Sequence, residues 1–139
     1  MTEKSPAQVV DAMHAAFRNA DLETIAAHWH DDVEYQAPGV SLRGKAARIE
    51  AEKVWLSAFS ENEVRTTSRF VNGEEIVDFA EMRGLHTGPL MLPGGASIPA
   101  TGKQVAGPYV ARYRVRDGKV VSQHVVYDRL ALLQNLGLA

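Results

Sequence analysis

The chain has 139 residues, 45% apolar, 23% charged and 7% aromatic, with 15 Lys+Arg against 17 Asp+Glu and a formal net charge of −2. That length predicts a single domain over residues 1–139 with a core of its own, and the absence of cysteine excludes disulfide scaffolds, thiolate metal sites and a cysteine nucleophile. The balanced charge lacks the basic stripe of a nucleic-acid binder; no apolar run reaches the ~20 residues of a membrane span; and Met1-Thr2-Glu3-Lys4 shows no leader pattern, so a soluble cytoplasmic domain is expected.

Ser5-Pro6 predicts a helix start, with Ser5 as N-cap and Pro6 where a missing N–H costs nothing. Val9, Val10, Met13, Ala16 and Phe17 follow as one helical stripe, which leaves His14 toward solvent. Asn19-Ala20-Asp21 breaks the pattern. Asp21 then caps a short second helix with Leu22, Ile25, Ala26 and Trp29 inward. A short strand is expected over Val33 to Gln36, and a third helix from about Lys45 to Phe59, with a looser apolar period.

Beyond that helix the period changes to two. Val64 to Val71, Glu75 to His86, Gln104 to Val115 and Lys119 to Tyr127 alternate as strands. Asn72-Gly73 and Asp117-Gly118 are predicted as two-residue hairpin turns. Between two long strands lies Gly88 to Lys103, with Gly88, Pro89, Pro93, Gly94, Gly95, Pro99 and Gly102. It is either a lid or binding loop, or a hairpin connection without structure of its own. A last helix is expected from about Arg129 to Leu136, between Asp128 as N-cap and Gly137 as the C′ residue. The sum is an α+β domain: a curved antiparallel sheet, cone-shaped, packed on three N-terminal helices, with a short C-terminal helix. The open mouth of such a cone suits a small molecule.

Several stretches carry a family likeness. Asn19-Ala20-Asp21-Leu22-Glu23 and Trp29-His30-Asp31-Asp32-Val33-Glu34-Tyr35, in this order of elements, resemble the nuclear-transport-factor-2-like superfamily. Gly84-Leu85-His86-Thr87-Gly88 with Pro99-Ala100-Thr101-Gly102-Lys103 resembles the SnoaL-like polyketide cyclases, or ester cyclases, within it. So does Asp117-Gly118-Lys119-Val120-Val121 with Asp128 and Leu132-Leu133-Gln134-Asn135-Leu136-Gly137. The resemblance covers nearly the whole chain. It implies a homodimer with no metal or organic cofactor that closes a ring in a polyketide ester by an intramolecular aldol step. It also implies a pocket aspartate helped by a histidine. By alignment the acid falls near Val125 and the histidine near Ala111, both apolar here. The ketosteroid isomerases share the N-terminal stretch, but their tyrosine and aspartate fall on Met13 and Ala37.

An aldol closure needs a base for an activated carbon and a donor for the enolate oxygen. Three residues are the catalytic candidates: Asp128, His86 and His124. Asp128 is the acid nearest the expected position, and it also reads as a helix cap; the two are compatible. His86 ends a strand beside the glycine–proline segment, as an acid, base or donor at the mouth, or as a loop-edge histidine bonded to backbone. His124 and Asp128 share a strand face but lie roughly 13 Å apart along it, so they can flank one ligand without touching. The opposite face, with Val121, Gln123, Val125 and Tyr127, is the more apolar and is expected inward. A bulge near the strand end would bring Asp128 inward with Val125. Tyr35, Trp55, Phe59, Tyr109, Tyr113, Gln123 and Tyr127 are the substrate-binding candidates, an apolar set with a few polar handles. His28 and His30 flank Trp29 and face apart, with no acid pattern to complete a metal site.

The resulting expectation is proton-transfer chemistry, cyclisation or isomerisation, on a small hydrophobic carbonyl compound. Two alternatives stand beside it. One is a non-catalytic binding domain with the same cone. The other is an epoxide hydrolase, for which Asp78, Arg83 and Arg112 supply fragments of an acid–guanidinium–acid set.

Overall fold

The computed structural model describes residues 3–92 and 94–138. Pro93 of the glycine–proline segment, and Met1 and Thr2 of the start, lie outside the described residues. Helix α1 runs Pro6–Arg18, closed at its start by a reciprocal box. The Ser5 hydroxyl accepts from the Gln8 N–H at 3.2 Å, and the Gln8 side chain accepts from the Ser5 N–H at 2.9 Å. Its stripe Val9, Val10, Met13 and Ala16 is buried. Helix α2 runs Leu22–Ala27 and is capped by Asp21, which accepts from the Thr24 N–H at 3.1 Å. Trp29 is not on this helix. It opens strand β1, Trp29–Ala37, and is 1% exposed. His30, Asp31 and Asp32 then bow out to solvent before Val33 returns to the core.

Strand β2, Val40–Arg43, folds back on β1, and helix α3 follows over Lys45–Ala58. The long strands are β3 Phe59–Asn72, β4 Glu75–His86, β7 Gln104–Arg116 and β8 Lys119–Tyr127. Helix α4, Arg129–Asn135, closes the chain with Asp128 as its cap. Gly137 follows with φ +77°, as a C′ glycine does.

The sheet order is β2-β1-β8-β7-β4-β3. Its pairings are antiparallel except β1 with β8, which run parallel, Gln36 opposite His124. That pairing joins the two ends of the chain, a contact no local alternation reveals. The fold is therefore α+β, with a curved, unclosed sheet, helices at its N-terminus and a short C-terminal helix.

Two turns and a bulge set the register at the two hairpin ends, and β1 and β3 carry further irregularities of their own. Asp117 and Gly118 both have positive φ, 53° and 73°, as a type I′ turn requires. The other turn differs from expectation by one residue. Asn72 pairs with Glu75, so Gly73-Glu74 is the loop, and only Gly73 has positive φ. That is the type II′ pattern, which needs glycine first, and it leaves Asn72 in the ladder. The bulge is at the start of β8: Val115 pairs with Val120 but Arg114 with Ser122, which leaves Val121 extra. From there to Tyr127 the register is regular, so no bulge turns Asp128 inward.

The segment from Gly88 to Lys103 has structure of its own. Strands β5, Leu90–Met91, and β6, Ser97–Ile98, form a small hairpin. Its base is tied twice. The His86 N–H donates to the Lys103 carbonyl and the Gly102 N–H to the His86 carbonyl, both at 2.9 Å. The Thr87 and Gly88 N–H groups both donate to the Ala58 carbonyl at 3.0 Å.

Two apolar cores result. The larger joins α1, α2 and the concave sheet face around Val10, Trp29, Ile76, Tyr113 and Val120. The smaller joins Ala58, Phe59, Val105 and Leu136, with Trp55, Leu90 and Leu132 packed on it. Among the described residues no helix is long and apolar enough to cross a membrane.

Candidate functional site

Between these two cores the sheet and helices enclose a cavity of about 260 Å³. It sits just below the usual ~300–1,000 Å³ of small-ligand pockets. Its floor is the concave face of β7 and β8, where Tyr109, Tyr113, Gln123, Val125 and Tyr127 project. One wall is α3, with Arg48, Ala51, Glu52 and Trp55; another is α1, with Met13, His14 and Phe17. Leu90 to Leu92, Leu132 and Leu133 from the late hairpin and α4 close the far side, with Arg129 and the β1–β2 turn beside them. Gly39 takes a φ of +75° there, a backbone conformation that favours glycine.

The lining is apolar with polar groups set into it. Arg48 is 5% exposed and donates to Glu52 at 2.6 Å, one turn along α3. Its guanidinium carbon lies 3.8 Å from the Tyr35 ring centre and 4.4 Å from that of Trp29, a stacked cation. The Tyr109 and Tyr113 hydroxyls meet at 3.3 Å. Burial pushes the phenols of Tyr35, Tyr109 and Tyr113 well above their ordinary value, so they remain protonated and serve as hydrogen-bond donors. Burial also holds the His14 imidazole below its usual 6.5, against the pull of Asp78, so it is neutral near pH 7.

Four buried polar atoms on lining residues have no partner: His14 Nε2, Trp29 Nε1, Arg48 Nε and Gln123 Oε1. Buried polar groups are paired in the great majority of cases. Among the described residues these four atoms have essentially no accessible surface, so they lie packed within the wall and not on the face that a ligand meets.

The sequence-predicted residues divide. Tyr35, Trp55, Tyr109, Tyr113, Gln123 and Tyr127 all line the cavity. Phe59 does not; it is 2% exposed and stacks on Trp55 at 4.2 Å, behind the wall. His86 is fully buried, with its ring 5.2 Å from that of Phe59. Its Nδ1 accepts from the Thr101 N–H at 3.2 Å and lies 2.9 Å from the Thr101 hydroxyl. It pins the base of the β5–β6 hairpin and is not part of the lining. His124 is exposed on the convex face opposite Arg112, because the even step from Val126 and Ser122 carries it outward. Asp128 is exposed, accepts from the Ala131 N–H at 3.0 Å, and borders only a recess of about 30 Å³ behind β7. The three catalytic candidates are thus not brought together, and none faces the cavity.

The positions to which the resemblance assigns an acid and a histidine, Val125 and Ala111, pair across β7 and β8 and are both buried. Val125 lines the cavity. The pocket face is where the alignment puts it, and it holds no titratable group at these two places. The epoxide-hydrolase fragments do not assemble either. Asp78 is bound by Arg69, Arg83 is exposed, and Arg112 bonds to Ser122.

Among the lining residues that escaped the sequence reading are His14, Arg48 and Glu52. His14 was expected toward solvent, yet it stands four residues after Val10 and one after Met13, on the edge of the apolar stripe. Arg48 and Glu52 form an i,i+4 charge pair, a pattern that ordinarily marks a solvent face. Their spacing to Trp55, i, i+4, i+7, was the available signal that the pair shares the inward stripe.

Comparison with known proteins agrees with this geometry. The sequence profile of the SnoaL-like polyketide cyclases matches residues 7–136. Among solved structures, AclR, a candidate hydroxylase from Streptomyces galilaeus, is 24% identical with a TM-score of 0.80; the match covers 96% of this chain and 82% of that one. A candidate polyketide cyclase from Pseudomonas putida is 18% identical with a TM-score of 0.82, covering 95% and 98%. A candidate SnoaL-like polyketide cyclase from Jannaschia sp. is 19% identical, also at 0.82, covering 100% and 99%. At these identities the structural likeness speaks for the fold alone. A search among curated proteins finds no match to the chain. With the profile spanning nearly all of the sequence and the enclosed cone in place, the chain belongs to the SnoaL-like polyketide cyclase family.

Proposed function

We propose that this protein is a cofactor-independent enzyme that moves a proton on a small hydrophobic carbonyl compound, leading to aldol-type cyclisation or to isomerisation. The observation that carries this reading is the cavity itself: apolar walls, about 260 Å³, with the Arg48–Glu52 pair and the phenols of Tyr35, Tyr109 and Tyr113 set into them. An apolar ligand with carbonyl oxygens fits that set, since the phenols and the guanidinium are hydrogen-bond donors. Membership of a cyclase family supports the reaction class. A second reading, a non-catalytic binding domain, is favoured by the apolar Val125 and Ala111.

Thermal shift of the wild-type protein against flat polyketide-like ketones, with chemical recovery of each hit, separates the two. Ligand at 100 times its dissociation constant adds about 2.7 kcal/mol, a shift of roughly 5–10 °C at this size. A hit that is converted supports the enzyme. A hit recovered unchanged supports the binding domain, and no hit at all refutes a small-molecule pocket.

We also propose a homodimer through the convex sheet face. Phe70, Phe79 and Val126 are 63%, 46% and 57% exposed there, and Phe70 meets Phe79 edge to face. Glu75 and Glu81 alternate with Arg65, Arg112 and Arg114 around them, so a two-fold pairing can set one copy's arginines against the other's glutamates.

A further inference from the structure

Resting on the proton-transfer reading, we propose that Glu52 and Arg48 are the reacting pair of this cavity: Glu52 takes and returns the proton, and Arg48 holds the oxyanion. Glu52 is the one carboxylate among the described residues that line the cavity. One of its oxygens is fixed by Arg48 at 2.6 Å. The other accepts no hydrogen bond among the described residues and is free for a substrate proton. Arg48 is clamped between the Trp29 and Tyr35 rings, so its plane is set before any ligand arrives. Its Nε is sealed off by packing and its Nη1 holds Glu52; Nη2 makes no hydrogen bond among the described residues and is the donor left for a ligand oxygen. Fixed donors of this kind stabilise developing charge best, because nothing reorganises when the charge appears. Tyr35 and Tyr109 feel the charges of both members of the pair and add protonated hydroxyls beside it. The pair is charge-balanced, so the site suits a neutral, enolisable ketone better than an acid.

The step closes without a co-reactant. The free oxygen of Glu52 removes a proton from a carbon next to the carbonyl. The C–H electron pair becomes the enolate double bond, and the carbonyl π pair moves to the oxygen, which accepts from Arg48 Nη2–H. In ring closure the enolate carbon bonds to a second carbonyl carbon of the same molecule, and that oxygen takes the proton back from Glu52. In isomerisation the proton returns to another carbon.

The test uses two probes on the whole protein. Binding of 2-naphthol, a flat enol mimic, is followed by thermal shift. Hydrogen–deuterium exchange next to the carbonyl of 2-tetralone is followed by proton NMR in D2O. The expected result is that wild type binds the naphthol and accelerates exchange, and that Glu52→Gln still binds but loses at least about 100-fold of the acceleration. Because Glu52→Gln leaves Arg48 with a weaker acceptor, the double variant Arg48→Met/Glu52→Gln, which removes the buried charges together, is measured too; folded by circular dichroism, it is expected to bind and not exchange. Exchange undiminished in folded Glu52→Gln overturns the pair and leaves the enzyme reading standing. Wild type that binds without exchange overturns the pair and supports the binding domain. Wild type that does not bind the naphthol overturns the pocket reading, and the pair with it.

Discussion

Replacing Asp78 by alanine tests how the wall behind His14 is held. Asp78 is fully buried on β4. It accepts from Arg69 Nε at 2.7 Å, Arg69 Nη2 at 2.9 Å and the Thr66 hydroxyl at 3.2 Å. Removing one partner of a buried pair costs about 3–5 kcal/mol, since the other is left uncompensated. Arg69 is 21% exposed and keeps Asp11 at 2.8 Å, so the low end applies, ~3 kcal/mol. At roughly 3–4 °C per kcal/mol for a chain of this size, the melting temperature should fall by about 10 °C. Asp78→Asn keeps the shape and an acceptor and should lose roughly half of that. Arg69→Met/Asp78→Leu removes both charges and should recover most of it. Thermal and urea melts by circular dichroism give the comparison, with an unchanged urea slope confirming a stability effect. An Asp78→Ala melt within about 2 °C of wild type, the range of an ordinary surface change, would refute the reasoning.

The other predictions are briefer. Burial holds the imidazoles of His14 and His28 below 6.5, so the unfolded chain takes up protons that the folded chain resists. Stability is therefore full above about pH 6.5 and falls as the pH drops below it; melting curves from about pH 8 to about pH 5.5 should show this, less steeply in His14→Gln, and a flat profile contradicts it. A Cβ at Gly88 would lie 2.0 Å from the Ser57 carbonyl, so Gly88→Ala should push the β5–β6 hairpin off α3 and lose about 1–3 kcal/mol in a thermal melt; a wild-type melt would show that the two do not touch this way. Light scattering on a sizing column should give twice the 15.2 kDa of one chain, and Phe79→Lys should return it to one; a wild-type monomer ends the convex-face proposal.

The sequence by itself determined most of the elements, and for local reasons. Ser5 and Gln8 close a box within one turn, Asp128 and Gly137 bracket α4, and Asp117-Gly118 satisfies the positive φ of its turn with its own residues. Alternation on β8 placed Gln123, Val125 and Tyr127 inward, because a pleat leaves a side chain only two directions. Distance in the chain hid the rest. The β1–β8 pairing joins the ends of the fold, and the Val121 bulge is visible only against its partner strand. His86 left two readings open in the sequence, and the bond from the Thr101 N–H with the packing on Phe59 makes it the loop-edge histidine bonded to backbone. The same alternation on β8 puts His124 outside, and Asp128 could turn inward only through a bulge that the regular register of β8 does not contain. Arg48 and Glu52 drew no notice in the sequence, because their i,i+4 spacing is that of an ordinary solvent face, and only the closure of α3 over the sheet buries them at the cavity. Charge patterns report spacing along a helix; which medium surrounds them is decided by what packs across from it.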